Sequence, residues 1–224
     1  MTHISSRLLG VVALTTIGVP PAIADSGWYV HGGLNSTTLE QSTDRNTGTD
    51  GPTVGPAGGP SLSTVAQDTG TSVYVAGGYQ FQPFADGFVA IEAFYADETA
   101  ETQNLNNVKI TDIELNSSYG IDLKLGQSVT DKLTLYGLVS VTQYDFDGQI
   151  SYTFAPPIDD ISSEEAAFVY GGGLELAFND RWSTVTEVRI ANDVEFSTPV
   201  DRGGIQSDDQ FDYFVLRSGL KYKF

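Results

Sequence analysis

Counted in twos back from its end, the segment Phe211 to Phe224 separates into two faces. Phe214, Leu216, Ser218, Leu220, Tyr222 and Phe224 form one that is almost wholly apolar. Val215, Arg217, Gly219, Lys221 and Lys223 form the other. A period of two is the signature of a strand whose sides meet different surroundings. Aromatic residues at both ends of the apolar face fit a strand that faces lipid, because aromatic rings gather at the two membrane interfaces.

The same alternation recurs along the chain and predicts seven more strands. The first covers about 27–39, with Trp28, Val30 and Leu34 opposed to Tyr29, His31, Gly33 and Asn35. The second, about 71–81, turns Val73, Val75, Gly77, Tyr79 and Phe81 outward. In the third, 88–99, Val89, Ile91, Ala93 and Tyr95 oppose Ala90, Glu92 and Phe94. The fourth, about 113–128, sets Tyr119, Ile121, Leu123 and Leu125 against Ser118, Gly120, Asp122 and Lys124. The fifth, 133–147, is apolar on both faces, so the pattern does not orient it. The sixth, about 166–178, opposes Tyr170, Leu174, Leu176 and Phe178 to Val169, Gly171, Gly173 and Glu175. The seventh, 183–196, opposes Val188 and Ile190 to Glu187 and Arg189.

The links between these strands alternate in length. Short ones fall at 82–87, 129–132 and 179–182, and long ones at roughly 40–70, 100–112, 148–165 and 197–210. Short turns on one side and long loops on the other describe a transmembrane barrel rather than a sandwich. Each strand is long enough for the roughly 9–11 tilted residues that a span needs. The expected fold is all-β: an eight-stranded antiparallel up-and-down transmembrane β-barrel, with short periplasmic turns and long extracellular loops.

Composition narrows the class. Mean hydropathy is −0.11 with 40% hydrophobic residues, which excludes a helical membrane protein but not a barrel, whose lipid face takes every second residue. Residues 1–24 read as a cleaved secretory signal, with Arg7 near the start, an apolar run from Leu8 to Val19 and Ala22-Ile23-Ala24 before the cut. Residues 25–224 are then one barrel domain. The net charge of −18 argues against a nucleic-acid partner, since phosphate binding needs clustered Lys and Arg. The 12 Phe and 11 Tyr argue against disorder. There is no cysteine, so no disulfide, thiolate metal site or thiol nucleophile is available.

On signal, strands, loop lengths and the ending Leu-Lys-Tyr-Lys-Phe, the chain resembles the small OmpA-like and OmpX-like outer-membrane barrels of Gram-negative bacteria. The resemblance implies integral outer-membrane localisation and a surface or porin-like role. It also implies that Phe214, Leu216, Leu220, Tyr222 and Phe224 form a C-terminal signal read by the barrel-assembly machinery. Outer-membrane lipid and lipopolysaccharide would surround a monomer, and any extracellular ligand stays open. The chain stops on the barrel strand, so cell-wall anchoring through a following peptidoglycan-binding domain is not carried over.

With the apolar faces outward, Glu92, Asp122, Lys124, Glu175, Glu187, Arg189 and Arg217 point into the bore. A barrel this small is filled by side chains, and opposite charges there should pair and plug it. Arg217 is expected close to Glu187 or another inward acid. His31 is the only histidine after the signal, and reads as lumen filler rather than the base of a relay with Ser118 or Ser140. Asp44, Asp50, Asp208, Asp209 and Asp212 read as solvated loop charge, because 44–50 lacks the spacing of a calcium loop. The motifs Asn35-Ser36-Thr37 and Asn116-Ser117-Ser118 match the glycosylation sequon but carry little weight in a bacterial chain. No catalytic residue, metal or cofactor is expected. A structural and surface-interaction barrel with a plugged lumen leads, ahead of a narrow porin and of a lipid-modifying enzyme.

Overall fold

A computed structural model describes residues 26–45, 64–83, 86–106, 109–152, 155–197 and 207–224. The expected signal segment and the centres of the loops, with Asp50, lie outside the described residues. So do the side chains of Asp44, Asp208 and Asp209.

Eight antiparallel strands form one closed barrel in chain order: β1 Gly27–Arg45, β2 Thr64–Phe81, β3 Gly87–Asn106, β4 Lys109–Ser128, β5 Leu133–Tyr152, β6 Ala155–Ala177, β7 Trp182–Ser197 and β8 Ser207–Lys223. Closure comes from β1 pairing with β8 in unbroken register from Tyr29↔Lys223 to Arg45↔Ser207. Two of the three short turns are built by their own side chains. Thr130 Oγ1 accepts from the backbone N–H of Lys132 and Leu133 (3.2 and 3.0 Å). Asn179 Oδ1 does the same for Arg181 and Trp182 (both 2.9 Å), an Asx-type turn. At the start of β3 the Asp86 carbonyl accepts from the Ser128 N–H (2.9 Å).

The strand faces follow the alternation. Leu135, Val139 and Val141 of β5 point outward, while Tyr136, Leu138, Tyr144 and Phe146 fill the interior. The double-faced apolarity of this strand therefore reflects interior packing. Trp28, Tyr79, Phe81, Phe178, Trp182, Tyr222 and Phe224 girdle the short-turn end. Tyr95, Tyr119, Tyr170 and Phe214 lie outward toward the loop end. Along β6 into the turn after it, and along β8, the two girdles are eight residues apart (Tyr170 to Phe178, Phe214 to Tyr222). At about 3.3 Å per residue and a tilt near 40°, that is about 20 Å of hydrocarbon thickness.

One expectation is corrected. The stretches 100–112 and 148–165 are not loops but largely strand, since β3 and β4 run to Asn106 and from Lys109, and β5 and β6 to Tyr152 and from Ala155; the ends of 40–70 and 197–210 are strand as well, because β1 runs to Arg45 and β2 and β8 start at Thr64 and Ser207. The strands are 16 to 23 residues long, so the wall continues well past the membrane. Glycine and acid-rich composition hid this, because outside lipid the outward positions no longer need to be apolar. There Glu40, Asp97, Glu101, Glu114 and Asp147 point outward, whereas Leu39, Ala100, Ile113, Leu115, Phe146 and Phe211 pack inside. Polarity thus inverts along the barrel axis. The register shifts at Asp97/Ala100, Leu115/Ser117 and Ala191/Val194 fall at the same level, each admitting an extra residue that re-aims the chain.

Inward glycines make room for bulky neighbours. One cross-strand row reads Phe88, Gly126, Tyr136, Gly173, Glu187, with glycine at every second place. A Cβ on Gly173 would fall 2.6 Å from the Tyr136 ring and 2.7 Å from the Thr186 carbonyl. Gly173→Ala should therefore cost about 1–3 kcal/mol, read by urea unfolding in lipid. Leu174, midway between the girdles, faces lipid. Leu174→Arg should cost about 2–4 kcal/mol, and Leu216→Arg, two residues from Phe214, distinctly less. Asp131→Arg in a wet turn should change stability by no more than about 0.5 kcal/mol.

Candidate functional site: a charged layer in the bore

The chemistry of this chain is concentrated inside the barrel. The structure directs Glu92, Asp122, Lys124, Glu187, Arg189 and Arg217 inward and buries each, and it sets Glu175 at the short-turn mouth. Glu92 and Asp122 lie directly opposite on β3 and β4, an arrangement of like charges that needs compensation. Lys124, two residues along from Asp122, supplies part of it. Its ammonium donates to Glu92 at 2.8 and 2.9 Å and to Glu187 across the bore at 2.6 Å. Arg189 supplies the rest with a two-pronged bond to Asp122 at 2.7 and 2.8 Å. Tyrosine hydroxyls complete the carboxylates: Tyr29 donates to Glu92 (2.9 Å) and Tyr136 to Glu187 (2.8 Å). Below this layer, Lys221 bridges to Glu175 at 2.8 Å, and Ser183 donates to the same carboxylate at 2.7 Å.

Arg217 sits differently from the other cations. It lies directly opposite Glu187 in register, yet its Nη1 is 3.9 Å from Glu187 Oε2 and neither atom is hydrogen-bonded. Its Nε donates instead to Asn35 (3.1 Å). The guanidinium lies over the rings of Tyr74 (4.3 Å) and Phe94 (4.6 Å), which draw it off the carboxylate. Arg189 packs on the same Phe94 ring at 4.3 Å. So the expected proximity to an acid is present as a loose ion pair, without the hydrogen bond.

Two features escaped the alternation. Glu98 is buried above the charged layer and takes four hydroxyl donors: Thr37 (2.9 Å), Ser72 (3.0 Å), Ser118 (2.8 Å) and Tyr213 (2.8 Å). It continues the inward face of Ala90, Glu92, Phe94 and Ala96, so the period of two could have found it. Its neutral partners come from four other positions on β1, β2, β4 and β8, and no sequence pattern joins them. The second feature is the apolar cluster above it, including Leu39, Leu115, Tyr144, Phe146, Phe211 and Tyr213, which fills the bore on the loop side.

His31 also lies inside, with Nε2 2.8 Å from Glu92 and Nδ1 3.3 Å from the Tyr74 hydroxyl. The Glu92 contact is an ion-pair approach without hydrogen-bond geometry. Ser118 and Ser140 spend their hydroxyls elsewhere, on Glu98 and on the Ile121 carbonyl and Thr142. Asn35 of the first sequon is buried in the bore, and Asp212 is exposed on the outer wall. The C-terminal residues Phe214, Leu216, Leu220 and Phe224 are exposed outward, with the Tyr222 ring between a tilted Trp182 ring at 4.9 Å and an edge-on Phe224 ring at 5.2 Å.

A closed barrel with an apolar belt, two aromatic girdles and a charged interior is the architecture of an integral outer-membrane protein. The chain belongs to the outer membrane protein beta-barrel domain family, whose model matches residues 9–224. It is accordingly an integral protein of the bacterial outer membrane. In fold it is similar to the outer membrane protein OprG from Pseudomonas aeruginosa, at 12% identity and a TM-score of 0.55 over 88% of this chain and 96% of that one. It is also similar to the outer membrane protein AlkL in lipid bilayers, at 15% identity and a TM-score of 0.50 over 94% of each chain. No curated protein matches it in sequence.

The difference between Lys124 and Arg217 can be measured. Lys124→Met leaves Glu92 and Glu187 facing each other without their shared cation, and should cost about 3–5 kcal/mol. Arg217→Met, which breaks a looser contact, should cost less. In double-mutant cycles the coupling of Lys124 to Glu187 should exceed that of Arg217 to Glu187, read by urea unfolding of the folded barrel.

Proposed function

We propose that this protein is a structural and surface-interaction barrel of the outer membrane whose lumen is closed to solutes. The observation that supports the reading is the packing of the described side chains in the bore. Lys124, Glu92 and Glu187 meet in its middle, and the cavity beside them, lined also by Tyr29, His31 and Tyr136, holds about 10 Å³. That is about the space of one water. The apolar cluster above adds a second barrier, since an ion crossing it would lose its hydration.

A non-enzymatic role is part of the same reading. The ring of His31, on which a serine relay would depend, is engaged by Glu92 and Tyr74 rather than by a serine. The surroundings of such a barrel are outer-membrane lipid and lipopolysaccharide, with the barrel-assembly machinery acting on its C-terminal strand during insertion. Its protruding acidic wall is what the cell would present outward.

Planar-bilayer recording of the refolded protein separates this role from a narrow porin. The sealed barrel should give no current above that of the lipid alone. Steady, reproducible conductance steps would overturn the sealed reading and make the charged layer a selectivity filter.

A further inference from the structure

The cavity in the bore lies between two groups of paired charges. On one side are His31, Glu92 and Lys124 of the charged layer, and on the other are Lys221 and Glu175 at the short-turn mouth. The two groups meet along the β1–β8 seam, where His31 and Lys221 stand directly opposite in register. Hydrogen bonding in the charged layer is nearly complete around the cavity. The Lys124 ammonium has three N–H donors and makes three bonds, two to Glu92 and one to Glu187. The Tyr29 hydroxyl is spent on Glu92 and that of Tyr136 on Glu187. His31 is the exception. Its Nδ1 meets the Tyr74 hydroxyl at 3.3 Å, and Tyr74 does not line the cavity. The other edge of the ring, carrying Nε2, is therefore the one turned to the cavity. The side chain is 1% exposed, and Nε2 has no hydrogen-bond partner.

We propose that this cavity is a binding site for one ordered water molecule, held by His31 Nε2 and by Glu175. The charge of the lining selects a neutral ligand. Two carboxylates, Glu92 and Glu175, face two ammonium groups, Lys124 and Lys221, so an ion of either sign would meet as much repulsion as attraction. Size then selects water, because about 10 Å³ admits one water and nothing larger. Water also suits either form of the imidazole, since it donates to a bare Nε2 and accepts from a protonated one. Its second partner, Glu175, accepts from Ser183 and Lys221 and keeps acceptor sites to spare, a carboxylate having about four. A buried polar atom left unpaired is costly, and a water held by two polar groups removes that cost. The water thereby hydrogen-bonds the ion pair at the mouth to the charged layer. The inference rests on the sealed reading, because a conducting bore would hold a run of solvent here; current in a bilayer and density at His31 report on the two separately.

The test is a crystal structure of the refolded barrel at a resolution that shows ordered water. The wild type should show a single peak in the cavity, at hydrogen-bond distance (about 2.7–3.2 Å) from both His31 Nε2 and a Glu175 oxygen. His31→Phe keeps a ring but removes the polar atom, and the peak should be lost. Val185, which also lines the cavity, tests the volume: Val185→Leu adds a methylene to it and should expel the water with His31 in place. The absence of a wild-type peak, a peak with the contacts of a metal ion, or an undisturbed peak in either folded variant would overturn the proposal. Should neither variant fold, the wild-type density decides alone.

Discussion

Backbone hydrogen bonding in hydrocarbon is the constraint from which the rest of this structure follows. An open sheet edge in lipid leaves N–H and C=O groups without partners, at a cost of several kcal/mol each, approximately. The pairing of β1 with β8 removes that edge, and it does so over the full height of the wall, from Tyr29 to Arg45. Once eight strands are closed on each other, the period of two has no freedom left. Every second residue must face lipid, and every other one must fit a bore that has room for little beyond side chains. The row Phe88, Gly126, Tyr136, Gly173, Glu187 shows how tightly that second demand is met, with large groups admitted only where the neighbour has no side chain.

The contents of the bore are a consequence of the same closure. Charges buried in the bore must satisfy one another, because a buried charge left unpaired is costly. Lys124 serves two carboxylates at once, Arg189 takes Asp122 with both prongs, and tyrosine hydroxyls occupy the lone pairs left over. Glu98 shows a different solution, a carboxylate held by four hydroxyls with no cation among them. Such a cage suits the upper edge of the charged layer, where the wall begins to acquire an apolar interior.

The inside and outside of the membrane-spanning wall were legible in the sequence because lipid imposes a sharp rule on outward residues. Trp28, Val75, Ile121, Leu174 and Leu220 all stand where the alternation puts them. Strand β5 resisted orientation because Tyr136, Leu138, Tyr144 and Phe146 answer to interior packing, which imposes no polarity rule. The extensions of β3 to β6 were missed for a related reason. Above the membrane the outward face is wet, and residues such as Glu101 and Glu114 there resemble those of a loop. On β4 the inward residues that mark it as wall, Ile113 and Leu115, are set off from Ser118 by a bulge that breaks the period. Contacts across the bore, such as Lys124 with Glu187 or Tyr213 with Glu98, join residues 63 and 115 positions apart and depend on shear and register that periodicity does not encode.

The inversion of polarity bears on whether such a barrel can open. In the membrane the interior is charged and the exterior apolar, so a rearranged ion pair could in principle leave a hydrated path. Above the membrane the interior is Leu39, Ile113, Leu115, Phe146 and Phe211, packed as in a water-soluble barrel. Shifting Lys124 from one carboxylate to another leaves that cluster in place. On the sealed reading proposed above, a path through the protein needs two unrelated changes, one electrostatic and one steric. Stacked barriers of different physical kind are poorly suited to a gate worked by one signal, and well suited to a rigid stem that holds an acidic wall above the membrane.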